Sequence, residues 1–363
     1  MVRILKLAAL FIVIFVVLGV GFARIWGVPD VENHPIATDD ETITRGKYLA
    51  AAGDCVSCHT AKGGAKFAGG RLIETPFGGI YSANLTPSKL GIAGMSSAEF
   101  YQILAYGADD LLHPVYPAMP YTSYHLVVRE DADAILSYLM SLAPVDRAVP
   151  ENTLSFPYNV RPLLLFWNLL FADRGVFIPD AGKDKVWNRG AYLVRGLGHC
   201  GACHTPRNLF GAPERDRALA GARIGAFDAP DIRTEALKKR GWNRELLATF
   251  FESGAGPKGT AWGEMFLAVK NSLRYLTHDD RIAIATYLLD TSAADPSYGD
   301  TVIATQGDAV AAADKTARVL YLNNCSMCHG PRGKGQEGAA PPLVANSTLA
   351  QPDGRNLIEA IAN

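Results

Sequence analysis

The sequence predicts an all-α chain of three small helical domains in tandem, the third incomplete at the C-terminus, behind an N-terminal transmembrane helix. Three observations carry that expectation. All six cysteines fall in three Cys-x-x-Cys-His units, whose first cysteines lie 145 and 125 residues apart. The chain repeats itself around the first two units, and self-similarity marks tandem modules. Ahead of them runs an apolar stretch at 4–23, interrupted only by Lys6.

A helix of about 20 apolar residues crosses a bilayer core. Arg3 and Lys6 lie on the N-terminal side, which sets the N-terminus inside and the rest outside. Trp26 falls where an interfacial aromatic belongs. Gly21, Phe22 and Ala23 also read as a small-residue cleavage site. The run is longer than the usual apolar core of a signal peptide, about 7–15 residues, so an uncleaved anchor is expected. Either reading places the remaining chain outside the cytoplasmic (inner) membrane, facing the periplasm.

Within the repeat, Arg45-Gly-Lys-Tyr48-Leu49 leads into Cys55, and Arg189-Gly-Ala-Tyr192-Leu193 leads into Cys200. A helix is expected to enter each cysteine pair. Middle helices are expected at 96–106 and 243–252, and closing helices at 132–142 and 281–289. The closing helices follow Glu130 and Asp131, or Asp279 and Asp280, and acidic residues suit a first turn. The third unit runs from Ala317 through Tyr321 into Cys325 and reaches Asn363 before any closing helix. The resulting division is 1–36 for the anchor (or signal) and linker, 37–150 for the first domain, and 151–184 for an apolar linker. It continues with 185–292 for the second domain, 293–308 for a small, polar connector, and 309–363 for a truncated third. The apolar run at 163–171 is too short to span a bilayer. It reads either as a buried helix between the first two domains or as a face for a partner subunit or membrane.

Cys-x-x-Cys-His is the pattern of covalent c-type haem attachment. Two thiols one helical turn apart reach the two vinyl groups on one porphyrin edge, and the next histidine falls under the iron. Cys55, Cys58 and His59, then Cys200, Cys203 and His204, then Cys325, Cys328 and His329 are therefore expected to hold three haems. Structural zinc would bring four ligands together at tight spacing. A thioredoxin-type pair would sit near a βαβ pattern, and disulfides would not explain a histidine after every pair. For the far side of the iron, Met119 follows Cys58 by 61 residues and Met265 follows Cys203 by 62. Agreement between repeats assigns both as iron ligands, and methionine opposite histidine raises a haem potential. The metal set is thus His59, Met119, His204, Met265 and His329. The same spacing puts the third methionine near position 389, so either the third domain is truncated, as expected here, or its haem takes a different sixth ligand; Met327 sits between two anchoring cysteines. His113 and His125 flank Met119 and read as loop residues or, in the alternative, as iron ligands, whereas His34, His199 and His278 read as structural. Asn84 and Arg207 read either as partners of haem propionates or as loop caps.

The chain has 363 residues, a net charge of −1 and 20% charged residues, which excludes both a nucleic-acid footprint and wholesale disorder. No Gly-x-Gly-x-x-Gly follows a strand pattern, so there is no dinucleotide fingerprint. Substrate oxidation is expected on another chain, with no catalytic residue here.

Several stretches carry a resemblance. They are Cys-Val-Ser-Cys-His-Thr with Phe-Ala-Gly-Gly, Thr-Pro-Phe-Gly-Gly-Ile-Tyr-Ser-Ala-Asn-Leu-Thr-Pro, and Tyr-Pro-Ala-Met-Pro-Tyr-Thr-Ser-Tyr. Phe-Trp-Asn-Leu-Leu-Phe, Cys-Gly-Ala-Cys-His-Thr-Pro-Arg-Asn and Asn-Ser-Leu-Arg-Tyr-Leu-Thr follow. Over nearly all of the chain beyond residue 36 it resembles the triheme cytochrome c subunits of membrane-bound periplasmic dehydrogenases of acetic acid bacteria and related proteobacteria. The resemblance implies three cytochrome c domains with three covalent haem c groups in a respiratory chain. It implies a catalytic partner of molybdopterin, quinoprotein or flavoprotein type, with or without a small iron–sulfur subunit, and ubiquinone as electron acceptor. The family's methionine ligands carry over to Met119 and Met265; its third has no counterpart. Relatives serving alcohol dehydrogenases commonly have a cleaved signal, so the expected anchor favours an aldehyde dehydrogenase partner over an alcohol or sugar one. The alternative is a cytochrome c subunit feeding a terminal oxidase. A peroxidase would need an open iron position, against which both methionines speak.

Overall fold

The computed structural model describes residues 28–108, 113–291, 315–336, 339–349 and 354–362, with scattered positions between 6 and 21. The chain forms two compact units. One comprises Met1–Ala50 with Cys58–Phe177, the other Ala51–Ser57 with Ile178–Asn363.

Helix α1 (Asp40–Ala52), nearly all of it in the first unit, leads to the turn α2 (Cys55–Cys58), most of which falls in the second, and a first-unit hairpin of β1 (Leu72–Thr75) and β2 (Gly78–Tyr81) follows. Helices α3 (Ser97–Tyr106), α4 (Tyr121–Tyr124) and α5 (Arg129–Met140) come next, then β3 (Thr153–Leu154) and α6 (Leu164–Phe171). The start of α3 is specified by a capping box: Ser96 Oγ accepts from Glu99 N–H, and Glu99 Oε2 accepts from Ser96 N–H. It ends at Gly107, whose φ of 70° is left-handed. Helix α1 crosses α5 at backbone contact, because a Cβ on Gly46 would lie 1.8 Å from Ala134 O. Arg45 pairs with the nearly buried Asp131 beside that crossing. The core around it holds Leu49, Leu104, Ile135, Leu136 and Leu139.

The second unit repeats this crossing. Helix α7 (Lys185–Tyr192) runs on through a π-helical turn at Leu193–Leu197 to α8 (Gly201–His204). Arg45 precedes Cys55 by 10 residues and Arg189 precedes Cys200 by 11. The π turn absorbs the additional residue, which lets both helices keep their crossing and their cysteines. The hairpin β4 (Ala222–Ile224) and β5 (Phe227–Ala229) follows, then α9 (Thr234–Lys239) and α10 (Arg244–Ser253). Beyond them come the hairpin β6 (Ala255–Gly256) and β7 (Gly259–Thr260), α11 (Gly263–Asn271) and α12 (His278–Leu288). Gly190 lies against α12, where a Cβ would come 1.9 Å from Ala283 O. Arg189 grips Asp280 with two bonds of 2.8 and 2.7 Å. Asn243 and Thr277 cap α10 and α12 through their side-chain oxygens. In the same unit α13 (Lys315–Asn324) leads into the third cysteine pair, Cys325 as the cap and Cys328 within α14 (Ser326–His329), and α15 (Arg355–Ala362) follows.

Two expectations are corrected. The chain is not all-α: it carries a three-stranded antiparallel sheet, β1-β2-β3, and the two-stranded sheets β4-β5 and β6-β7. These strands have two to four residues and are rich in glycine, too short for an alternating pattern to register. Pro76 and Phe77 close the first hairpin, with Thr75 Oγ1 donating to Gly78 O at 2.7 Å. The expected transmembrane helix is not found either. No helix among the described residues is long and apolar enough to cross a membrane. Such a helix needs about 20 consecutive apolar residues, and the longest described stretch within 4–23 is four, Val16 to Gly19. The rest of 4–23 is only partly described, and the connector expected at 293–308 lies outside the described residues.

The apolar run of the first connector is split in character. On α6, Leu165 and Asn168 are buried, whereas Leu169 and Leu170 are exposed, as is Leu163 just before it.

Candidate haem-binding sites

Each Cys-x-x-Cys pair sits on a short helical turn that delivers the next histidine. In all three, the histidine's Nδ1 meets a backbone carbonyl: His59 to Ala83 O at 2.7 Å, His204 to Pro230 O at 2.7 Å and His329 to Pro341 O at 2.8 Å. A carbonyl only accepts, so Nδ1 carries the proton and Nε2 is left with its lone pair for a metal. Burial also holds His59 and His204 below the ordinary histidine pKa, which favours the neutral, ligating form. The residue before the first cysteine is left-handed in both complete repeats, Asp54 at φ 51° and His199 at φ 37°.

In the second unit, Cys200, Cys203, His204 and Met265 line one cavity together. Met265 lies in the first turn of α11, which begins two residues earlier at Gly263. The rest of the wall is largely apolar and includes Trp242, Phe250 and Leu288. Burial pushes the Cys200 thiol up to about 12 and raises Cys203 as well. Arg240 also lines this cavity, and its buried Nε has no hydrogen-bond partner, although its Nη2 donates to Asp231 O. A cationic group aimed into an apolar cavity with an unspent donor matches an anionic edge of a ligand. Thiols, imidazole, thioether and guanidinium together fit a haem c with its propionates. Arg240 does not stand out in the sequence, since only its burial shows the spare donor.

Residues of the third segment reach the same wall. Ser347, Thr348 and Asn356 line the cavity of the second pair. Ser347 N and Oγ donate to Lys258 O, both at 2.8 Å, and Thr348 Oγ1 donates to Thr260 O at 2.6 Å. The buried Asn356 accepts from Asp228 N–H and donates to Asp228 O and Thr348 O, each at 2.8 Å.

Met119 lies in a turn in which its N–H donates to Tyr116 O at 3.0 Å and its carbonyl accepts from Tyr121 N–H at 2.9 Å. Met327 is 86% exposed between its cysteines. Asn84 and Arg207 are engaged with loop backbone. Asn84 Nδ2 donates to Val145 O at 2.8 Å, and Arg207 donates to Gly211 O at 2.7 Å and Ala202 O at 3.1 Å. His34 is paired with Asp133 at 2.8 Å, and the His125 ring meets Thr122 O within its own loop at 3.1 Å.

Residues 43–143 match the family model "Cytochrome c". The chain is 36% identical over 353 residues to the fructose dehydrogenase cytochrome subunit of Gluconobacter japonicus, covering 91% of this chain and 72% of that one. It is 38% identical over 342 residues to the gluconate 2-dehydrogenase cytochrome c subunit of Pantoea cypripedii, covering 89% and 77%. It is also 38% identical over 324 residues to a nicotinate dehydrogenase subunit of Pseudomonas putida, covering 88% of this chain but spanning only 27% of that protein.

Proposed function

Because the chain belongs to the family of cytochrome c subunits of dehydrogenase complexes, we propose that it carries electrons from a catalytic partner to ubiquinone through three covalently bound haem c groups. The observation that bears most weight is the threefold recurrence of one geometry: a cysteine pair, then a histidine whose Nδ1 is held by a carbonyl. The attachment residues are Cys55, Cys58 and His59, then Cys200, Cys203 and His204, then Cys325, Cys328 and His329. Met119 and Met265 complete two of the irons. Haem, once bound, supplies reversible one-electron chemistry at its iron. The chain's own residues do the rest. Ala83, Pro230 and Pro341 fix the histidine tautomer, the apolar wall around Met265 excludes water, and Arg240 neutralises a propionate.

The three modules correspond to 37–150, 185–292 and 309–363. The apolar run at 4–23 acts as an export segment, which sets the modules at the periplasmic face of the cytoplasmic membrane. The preference for an aldehyde dehydrogenase partner depends on the anchor and falls with it. The relatives are named for fructose, gluconate and nicotinate dehydrogenases. A sugar or sugar-acid dehydrogenase is the partner to test first, with alcohol and aldehyde enzymes next.

The test is anaerobic reduction of the detergent-solubilised native complex. Fructose, gluconate, an alcohol and an aldehyde are added in separate cuvettes while the haem α-band is followed, and then a ubiquinone analogue is added. Reduction by one substrate and reoxidation by the quinone is the expected result. A complex reduced only by an upstream cytochrome, with no response to any organic substrate, would make it an oxidase subunit instead.

A further inference from the structure

Helix α6 is apolar apart from one residue, Asn168, and that residue points inward: it is 8% exposed while Leu170 nearby is 68% exposed. An amide on the buried side of an apolar helix is costly unless it is hydrogen-bonded. Its Oδ1 accepts from the Tyr121 hydroxyl at 2.6 Å, and Tyr121 is itself 1% exposed. Tyr121 is held in a slot. Trp167 meets its ring edge-on at 6.2 Å and 81°. On another side, a Cβ on Gly107 would come within 2.8 Å of the ring. Tyr121 N–H in turn holds the Met119 carbonyl, and Met119 N–H holds Tyr116 O. At the other end of the turn, the Arg161 guanidinium lies over the Tyr116 ring at 5.3 Å. A single short segment, 161–168, therefore grips the methionine turn at Tyr116 and at Tyr121.

We infer that Asn168 is a positioning residue for Met119, fixing the methionine turn through the Tyr121 hydroxyl. The inference rests on the proposed ligation of iron by Met119. It also gives a function to the one polar residue in a run that otherwise reads as packing. Without the Asn168 acceptor, the Tyr121 hydroxyl is buried unpaired, and the turn regains its freedom by moving that ring outward. Methionine then holds the iron less well, and the haem potential falls.

The experiment uses the full chain with its haems attached, in the native complex. Asn168→Leu should weaken the deep-red charge-transfer absorption of methionine-ligated ferric haem by the share of one haem and lower one midpoint potential. Met119→His identifies which component of the titration belongs to that haem. Tyr121→Phe breaks the same bond from the other side and reads out the same haem, so it serves if Asn168→Leu fails to accumulate. The double variant leaves neither polar group buried without a partner and should restore both absorption and potential toward the native values. Asn168→Leu with full haem content and an unmoved spectrum and titration would overturn the inference. So would a double variant as perturbed as the sum of the singles. If Met119→His itself moves no potential, the ligand assignment fails instead, which is a distinguishable result.

Discussion

Gly46 and Gly190 show how strongly a single position can be constrained. At each, a methyl group would collide with a carbonyl of the crossing helix, Ala134 O at 1.8 Å or Ala283 O at 1.9 Å. Backbone cannot retreat as a flexible side-chain tip can, so Gly190→Ala should destabilise the second unit by about 1–3 kcal/mol. Chemical denaturation of the holoprotein measures it, and an unchanged midpoint would mean that the helices part easily. Arg240 makes a second residue-scale prediction. Arg240 lines the cavity of Cys200, Cys203 and His204, and beside a haem held there its charge would favour the reduced, less positive state. Arg240→Leu should lower one midpoint potential by an amount worth ~1–2 kcal/mol at an effective dielectric near 20. An unmoved redox titration would remove Arg240 from the haem's surroundings. The three cysteine pairs and their histidines stand out in the sequence because attachment of a porphyrin would dictate that spacing. The carbonyls that hold the histidines do not, since they lie 24, 26 and 12 residues downstream and share no pattern.

Among elements, the helices are the most legible. The middle helices expected at 96–106 and 243–252 are Ser97–Tyr106 and Arg244–Ser253, each with its capping residue one position ahead. Polar caps and apolar periodicity are local signals, and they survive in a short window. Ser96→Ala removes the hydroxyl that accepts from Glu99 N–H, leaving only the bond from the residue 96 N–H to Glu99, and should cost about 1 kcal/mol, read as a shift in denaturation midpoint. The closing helices at Arg129–Met140 and His278–Leu288 begin three residues earlier than expected, because the acidic residues that read as flanks form their first turns. The sheets leave no trace in the sequence: two-residue strands such as Ala255–Gly256 and Gly259–Thr260 have no periodicity to detect. The π turn at Leu193–Leu197 is equally hidden, although the two repeats differ there by one residue. An added residue in a sequence does not say whether a loop or a helix takes it up.

At the scale of the whole molecule, a near-neutral chain of repeated modules divides its labour: its haems serve transfer and its partner chemistry. Serine at both Cys325 and Cys328 should leave about two thirds of the covalent haem per chain, measured by haemochrome absorbance and intact mass. A value unchanged from native would show that the third pair carries no haem. The third module is only partly legible. Its cysteine pair stands out, but nothing about Ser347, Thr348 or Asn356 in the sequence announces that they bond to the second segment. That role emerges from distances: Ser347 and Thr348 on the carbonyls of Lys258 and Thr260, and Asn356 on the backbone of Asp228.

Those bonds predict that the covalent link between the second and third cysteine pairs is dispensable once folding is complete. A protease site engineered into 293–308 would produce two pieces held by noncovalent contacts, the Ser347, Thr348 and Asn356 bonds among them. They should migrate as one species on a sizing column and separate only in denaturant. Asn356→Ala, which forfeits bonds worth about 1–3 kcal/mol at a buried site, should let the smaller piece dissociate at low micromolar dilution. In the uncut protein the C-terminal segment thus acts as a tethered ligand of the second module, with the intervening chain setting its effective concentration rather than its fit.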